Sequence, residues 1–165
     1  MFLLEYPKRI KKIMQVDKKY TTTSYKQTQK LGEKTAKEFL NAMLGKKALV
    51  IGLKGNLGGG KTTFLQGFAK GLGVKEKILS PTFVIMKRFG IKNKIFKNFY
   101  HFDCYRFDKP EDILELDFEE IISNPENIVA IEWPEKVKRV LPKNIIFIDF
   151  RFIDKNKREI NFKSA

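Results

Sequence analysis

The chain has 165 residues, 42% of them hydrophobic, with 33 Lys and Arg against 19 Asp and Glu, a formal net charge of +14. That length supports one packed core rather than two, and no run approaches the roughly 20 apolar residues of a membrane-spanning helix. A single Cys with a single His allows no internal disulfide and argues against zinc, so a soluble, cytoplasmic protein using an oxygen-ligated metal is expected.

The charge favours polyanionic partners in principle. Lysine, isoleucine, asparagine and phenylalanine are abundant along the whole sequence, however, as a general compositional bias would produce. The balance is uneven: Pro110 to Glu135 holds nine acidic residues and no Lys or Arg, an acidic flank suited to partner docking.

Residues 1–20 are lysine-rich without clean periodicity and read as a basic N-terminal extension, with a single domain over 21–165. Ser24 and Gln27 form a capping-box pattern, followed by Leu31, Ala36, Phe39, Leu40 and Met43 at helical spacing, with Gly45 as the stop. Ala48 to Leu53 is a short apolar run suited to a buried strand. It leads directly into GNLGGGKTT and then FLQGFAKGLG, a helix ending near Gly71 or Gly73. Ser80 to Phe89 and Ile95 to Tyr105 read as an antiparallel hairpin. Alternation puts Tyr100, Phe102 and Cys104 on one face of its second strand, and Phe99, His101, Asp103 and Tyr105 on the other. Asp108 and Glu111 around Pro110 predict a capped helix through about Ile122. Asn127 to Glu132 is a buried strand ending in a carboxylate, PEKVKRVL a short helix, and IIFIDFRF with REINF a second hairpin around DKNK.

The segment Gly55, Asn56, Leu57, Gly58, Gly59, Gly60, Lys61, Thr62 fits G-x-x-x-x-G-K-S/T between a strand and a helix. Glycines let successive N–H groups turn inward around phosphate oxygens, and the following helix adds its positive N-terminal dipole. Lys61 then bridges the terminal phosphates of ATP or a similar nucleotide, the Thr62 hydroxyl ligates Mg2+, and Thr63 extends the cradle. Such a site needs a carboxylate at a neighbouring strand end to hold the metal, and Glu132 is the best placed. Trp133 beside it packs near the nucleotide or serves as an ordinary core or interface residue. Asp103 either orients the attacking water or pairs with Arg106 or backbone. Ser80 and Thr82 offer hydroxyls that could sense the terminal phosphate, and His101, with no nucleophile beside it, reads as structural.

Four blocks in order, GNLGGGKTTFLQGFAKGLG, SPTF, YHFDCYR with the acidic segment after it, and IEWPE, make the chain resemble the TsaE (YjeE) family over about residues 22–162. These are small bacterial P-loop ATPases needed to make threonylcarbamoyladenosine in tRNA. The resemblance implies an α/β, three-layer P-loop domain with a mixed sheet, and work alongside TsaD and TsaB, which transfer the threonylcarbamoyl group to tRNA adenosine. Contact with tRNA is then indirect, through that complex. The resemblance also implies phosphate binding by Lys61, magnesium held by Thr62 and Glu132, a catalytic Asp103, phosphate sensing by Thr82 and a site-proximal Trp133. The family's loop often begins Gly-Asp-Leu-Gly-Ala-Gly, where this chain has Asn56 and Gly59.

Two other readings compete. A small-molecule or nucleoside kinase would need an arginine-bearing lid, but Arg88, Arg106, Arg139, Arg151 and Arg158 are scattered with no lid-length insertion. An RNA-binding module would suit the basic balance, yet it leaves the complete P-loop and Glu132 unexplained.

Overall fold

The computed structural model describes residues 16–42, 45–79 and 84–165. Its described strands form one mixed sheet: β1 (Lys19–Thr22), β2 (Leu49–Lys54), β3 (Met86–Gly90), β4 (Asn98–Asp103), β5 (Asn127–Glu132), β6 (Ile146–Phe152) and β7 (Arg158–Ser164), in spatial order β1-β7-β6-β2-β5-β4-β3. The four central strands are parallel neighbours, and antiparallel strands close both edges. Strands β2 and β5 sit in the middle with helices to cover them on both sides, which explains their near-continuous apolar sequences.

Helices α1 (Tyr25–Leu40) and α2 (Lys61–Gly71) cover one face. Phe39, Phe64 and Phe68 from these helices pack on Ile51, Phe99, Ile128, Ile148 and Phe162 of the sheet. The other face is covered by a 3₁₀ segment (Pro110–Leu116), helix α3 (Phe118–Ser123) and a second 3₁₀ segment (Pro134–Val140). Ile113, Phe118 and Val137 from these elements meet Val50, Phe102, Val129 and Ile131. The expected three-layer α/β arrangement is the observed one.

The capping-box reading holds in half at the start of α1, where Ser24 caps the helix but the Gln27 side chain reaches back one residue beyond it. The Ser24 Oγ accepts the Gln27 N–H at 3.2 Å, and the Gln27 Oε1 accepts the Thr23 N–H at 2.8 Å. Helices α1 and α2 cross closely because small residues line the contact. A Cβ added at Gly67 would be driven into the Gln29 backbone, so only glycine permits this approach. The crossing fixes the first turn of α1 beside the loop that precedes α2.

Four expected boundaries are corrected. Helix α1 ends at Leu40 with Asn41 as its cap, short of Gly45; Met43 lies outside the described residues. Strand β1 begins at Lys19 and pairs with β7. The first hairpin is shorter at both strands. Strand β3 begins at Met86, with Ser80 and Thr82 outside the described residues. Strand β4 begins only at Asn98, since the Asn93 Oδ1 accepts the N–H groups of Ile95 and Phe96 and prolongs the turn. It ends at Asp103, leaving Cys104 and Tyr105 in the turn that follows.

The helix expected through Ile122 is two short pieces, because Asp117 adopts a left-handed conformation (φ 56°) between them. Its cap is also different: the Asp112 carboxylate accepts the Lys109 N–H at 3.0 Å, in place of the Asp108–Glu111 pair.

Candidate nucleotide site

The parallel strands β2, β5 and β4 deliver their carboxyl ends to one edge of the sheet, the position where open α/β folds bind ligands. Strand β2 runs into the loop from Gly55 to Gly60, and α2 starts at Lys61 with Gly60 as its N-cap in a left-handed conformation (φ 102°). Gly55 has a φ of 144°, and a Cβ there would lie 2.6 Å from the Phe150 carbonyl oxygen. Its position therefore demands glycine on both conformational and steric grounds.

Parallel pairing places Glu132 level with Leu53 of β2 on one side and with Asp103 of β4 on the other. Phe99 and Ile128 pack into the core beneath α1 and α2, so side-chain alternation carries Asp103 and Glu132 to that same face, level with the start of α2.

These elements enclose a cleft of about 520 Å3. Of the residues expected in the site, Leu57, Gly58, Gly59, Gly60, Lys61, Thr62, Thr63, Asp103, Glu132 and Trp133 line it. Gly55 and Asn56 lie behind the lining, and their carbonyl oxygens accept hydrogen bonds from the Lys61 ammonium, the Asn56 one at 3.1 Å. Thr82 is outside the described residues, although Val84 and Ile85 just after it line the cleft.

Lys61 is 5% exposed and stands 4.5 Å from the centre of the Trp133 ring. Burial pushes its pKa down, while the negative charges of Glu132, Glu135 and Asp103 push it back up. Trp133 is held in a left-handed conformation (φ 57°), uncommon for a bulky residue and typical of functional turns. Its ring lies 5.0 Å from that of Tyr105, and the two form an aromatic wall beside Lys61.

Asp103 is hydrogen-bonded to backbone, one of the arrangements open from sequence: its Oδ1 accepts the Tyr105 N–H at 3.0 Å. Burial raises its carboxyl above the usual range and the nearby Glu132 adds to this; the Tyr105 N–H, His101 and Lys61 oppose the shift. Glu132 is 3% exposed and its Oε1 lies 2.8 Å from the Nε2 of His101, itself 2% exposed.

Sequence reasoning missed three contributors. The first turn of α1 supplies Ser24, Tyr25 and Thr28; the β6–β7 turn supplies Lys155, Asn156 and Arg158; and Tyr105 with Arg106 follow β4. Arg106 and Arg158, far apart in the chain, therefore share one cleft. The Arg158 guanidinium donates to the Gly58 carbonyl at 3.2 Å and lies 4.6 Å from the Phe152 ring centre, tying the hairpin turn to the glycine loop. The clue to Tyr105 and Arg106 lay in their adjacency to Asp103. Nothing local marked the other two segments as parts of a site.

The arrangement combines a glycine cradle at a helix N-terminus, one buried lysine and two carboxylates on adjacent strand ends. It suits a polyphosphate and a hard cation. Among the described residues no helix is long and apolar enough to cross a membrane.

The family model for "Threonylcarbamoyl adenosine biosynthesis protein TsaE" matches residues 22–160. Among curated proteins, the chain is 37% identical over 115 residues to the tRNA threonylcarbamoyladenosine biosynthesis protein TsaE of Rickettsia typhi, covering 69% of this chain and 76% of that one. It is 34% identical to the proteins of the same description from Haemophilus influenzae and Bacillus subtilis, each match covering 76% of both chains. The crystal structure of Bacillus subtilis YdiB superposes with a TM-score of 0.66 at 29% identity, over 88% of this chain and 83% of that one. A family model matched across most of the chain, with relatives above 30% identity and the same fold, means that the chain belongs to the TsaE family.

Proposed function

We propose that this protein is a magnesium-dependent P-loop ATPase that supports threonylcarbamoyl transfer to adenosine in tRNA, acting in the cytoplasm together with TsaD and TsaB. The observation that carries the reading is the convergence of Lys61, Thr62, Asp103 and Glu132 on one cleft beside the glycine loop. Family membership supplies the pathway.

The donor set fits magnesium. Among the described residues no three His, Cys, Asp or Glu side chains form a cage. Magnesium needs none, because it is held by one or two carboxylates, a hydroxyl, phosphate oxygens and water. Thr62 and Glu132 would hold it. Once bound there, it would supply positive charge to offset that of the terminal phosphates.

The chain's own groups account for the remaining work. The first N–H groups of α2 and its dipole bind the phosphate oxygens. Lys61, now bonded to the carbonyls of Gly55 and Asn56, carries its positive charge to the terminal phosphates. Asp103 orients the attacking water and draws off its proton as the new P–O bond forms and the bond to the leaving diphosphate breaks. Its raised pKa brings it closer to the working range of a general base. The Trp133 ring beside the buried Lys61 helps to shield it from bulk water.

Phosphate release measured with and without TsaD and TsaB, followed alongside tRNA modification, tests the reading. Hydrolysis that neither requires magnesium nor responds to the partners, with modification unaffected by omitting this chain, would overturn it. A small-molecule or nucleoside kinase is the second reading, favoured by Arg106 and Arg158 sharing the cleft. Transfer of labelled phosphate to a nucleoside instead of to water would establish it.

A further inference from the structure

We propose that His101 is a positioning residue whose hydrogen bond to Glu132 holds that carboxylate in the geometry needed to bind magnesium with the nucleotide. This rests on the metal role assigned to Glu132 above.

The geometry begins with the pairing of β4 and β5. Register sets His101 opposite Ala130 and Asp103 opposite Glu132. His101 therefore sits one step back along the same face, with only a methyl group across from it. The ring reaches diagonally to Glu132, the next residue on that face of β5. The resulting Nε2–Oε1 separation is 2.8 Å, with the two side chains 3% and 4% exposed.

His101 does not line the cleft, whereas Glu132 does. The hydrogen-bonded link from His101 to the cleft is therefore Glu132.

Glu132 has a particular need for such a partner. The carboxylate at this place in P-loop proteins is commonly an aspartate; a glutamate carries one more rotatable bond and must lose more freedom to present an oxygen in a fixed place. A buried carboxylate also requires hydrogen-bond donors. His101 with a proton on Nε2 meets both requirements. It occupies Oε1, sets the carboxylate plane and leaves Oε2 as the oxygen for a cation in the cleft. Outer partners of this kind commonly contribute 10- to 100-fold to metal affinity.

The test compares His101→Leu, which fills the volume without a donor, with His101→Gln, whose amide nitrogen can take the place of Nε2. Binding of a non-hydrolysable ATP analogue is measured by calorimetry with and without magnesium, together with the melting temperature.

The expected result is that His101→Leu reduces the gain in affinity conferred by magnesium roughly 10-fold or more. Magnesium-free affinity stays within about 2-fold, His101→Gln restores most of the gain, and adding His101→Leu to Glu132→Gln changes nothing further.

Equal loss with and without magnesium would overturn the proposal, as would an intact magnesium gain accompanied only by a lower melting temperature, or a Gln variant no better than Leu. If the Leu protein does not fold, His101→Asn replaces it. That amide is too short to reach Glu132, so an undiminished magnesium gain in the Asn protein counts against the proposal. A wild-type chain whose nucleotide affinity ignores magnesium would instead overturn the metal reading of the whole cleft, an outcome visible before any variant is compared.

Discussion

Asp103→Asn separates chemistry from structure in this cleft. Asparagine is isosteric with aspartate and retains an oxygen to accept the Tyr105 N–H, so the turn after β4 should survive. What disappears is the negative charge and the ability to take a proton. If Asp103 positions and deprotonates the attacking water, hydrolysis falls roughly 10²-fold or more, equivalent to about 2.7 kcal/mol of lost transition-state stabilisation.

The stability effect runs the other way. Burial raises the native pKa of Asp103 above its unfolded value, so the folded state holds this proton more tightly. Stability associated with the group is therefore greatest below the ordinary carboxylate pKa and falls as pH rises through the raised native value. The charged form is a cost at neutral pH. Asp103→Asn should accordingly melt no lower than the native chain at neutral pH, with any advantage vanishing in acid.

The assay is phosphate release in the complex with TsaD and TsaB, combined with calorimetric ATP affinity and melting curves at both pH values. Normal affinity with an unchanged rate would remove Asp103 from catalysis. A lower melting temperature with binding and hydrolysis lost together would make it structural.

Lys61→Ala should weaken ATP binding at least 10-fold, since hydrogen bonds to charged groups contribute about 1.5–3 kcal/mol each; unchanged affinity in calorimetry would take the glycine loop out of its role. Thr62→Ala and Glu132→Gln should each reduce magnesium-dependent binding, and the double variant should be scarcely worse than either, because groups acting on one ion are non-additive. Simple addition of the two losses, measured by the same titration, would show that they do not share a metal. Gly67→Ala should destabilise the fold by more than about 2 kcal/mol in denaturant titration, because the new methyl meets the Gln29 backbone, which cannot rotate away.

Much of the cleft was legible because its chemistry is local. The loop from Gly55 to Thr62 and the strand before it are contiguous, so spacing alone marked the loop as a candidate phosphate cradle. Alternation along β4 correctly put Phe99, His101 and Asp103 on one face. The boundaries that failed did so where side chains compete with periodicity. Asn93 captured two backbone N–H groups ahead of β4, and Asp117 turned left-handed in the middle of an expected helix. His101 reads as structural from sequence because no nucleophile stands beside it; its partner Glu132 lies 31 residues away, and no local pattern reveals the register that joins them.

The amino-acid sequence by itself determined the glycine loop, the lysine and the strand-terminal carboxylates, because each depends on neighbours within a few residues or on a period of two or 3.6; the three-layer class followed from the family resemblance that those motifs carry. Tertiary structure alone decided that the first turn of α1, the β6–β7 turn and the Tyr105–Arg106 segment meet around that loop. The physical reason is that these placements come from parallel register and from the glycine-permitted crossing of α1 with α2. Long-range packing of that kind brings Arg106 and Arg158 into one cleft, and sets His101 against Glu132, without any signal in their spacing along the chain.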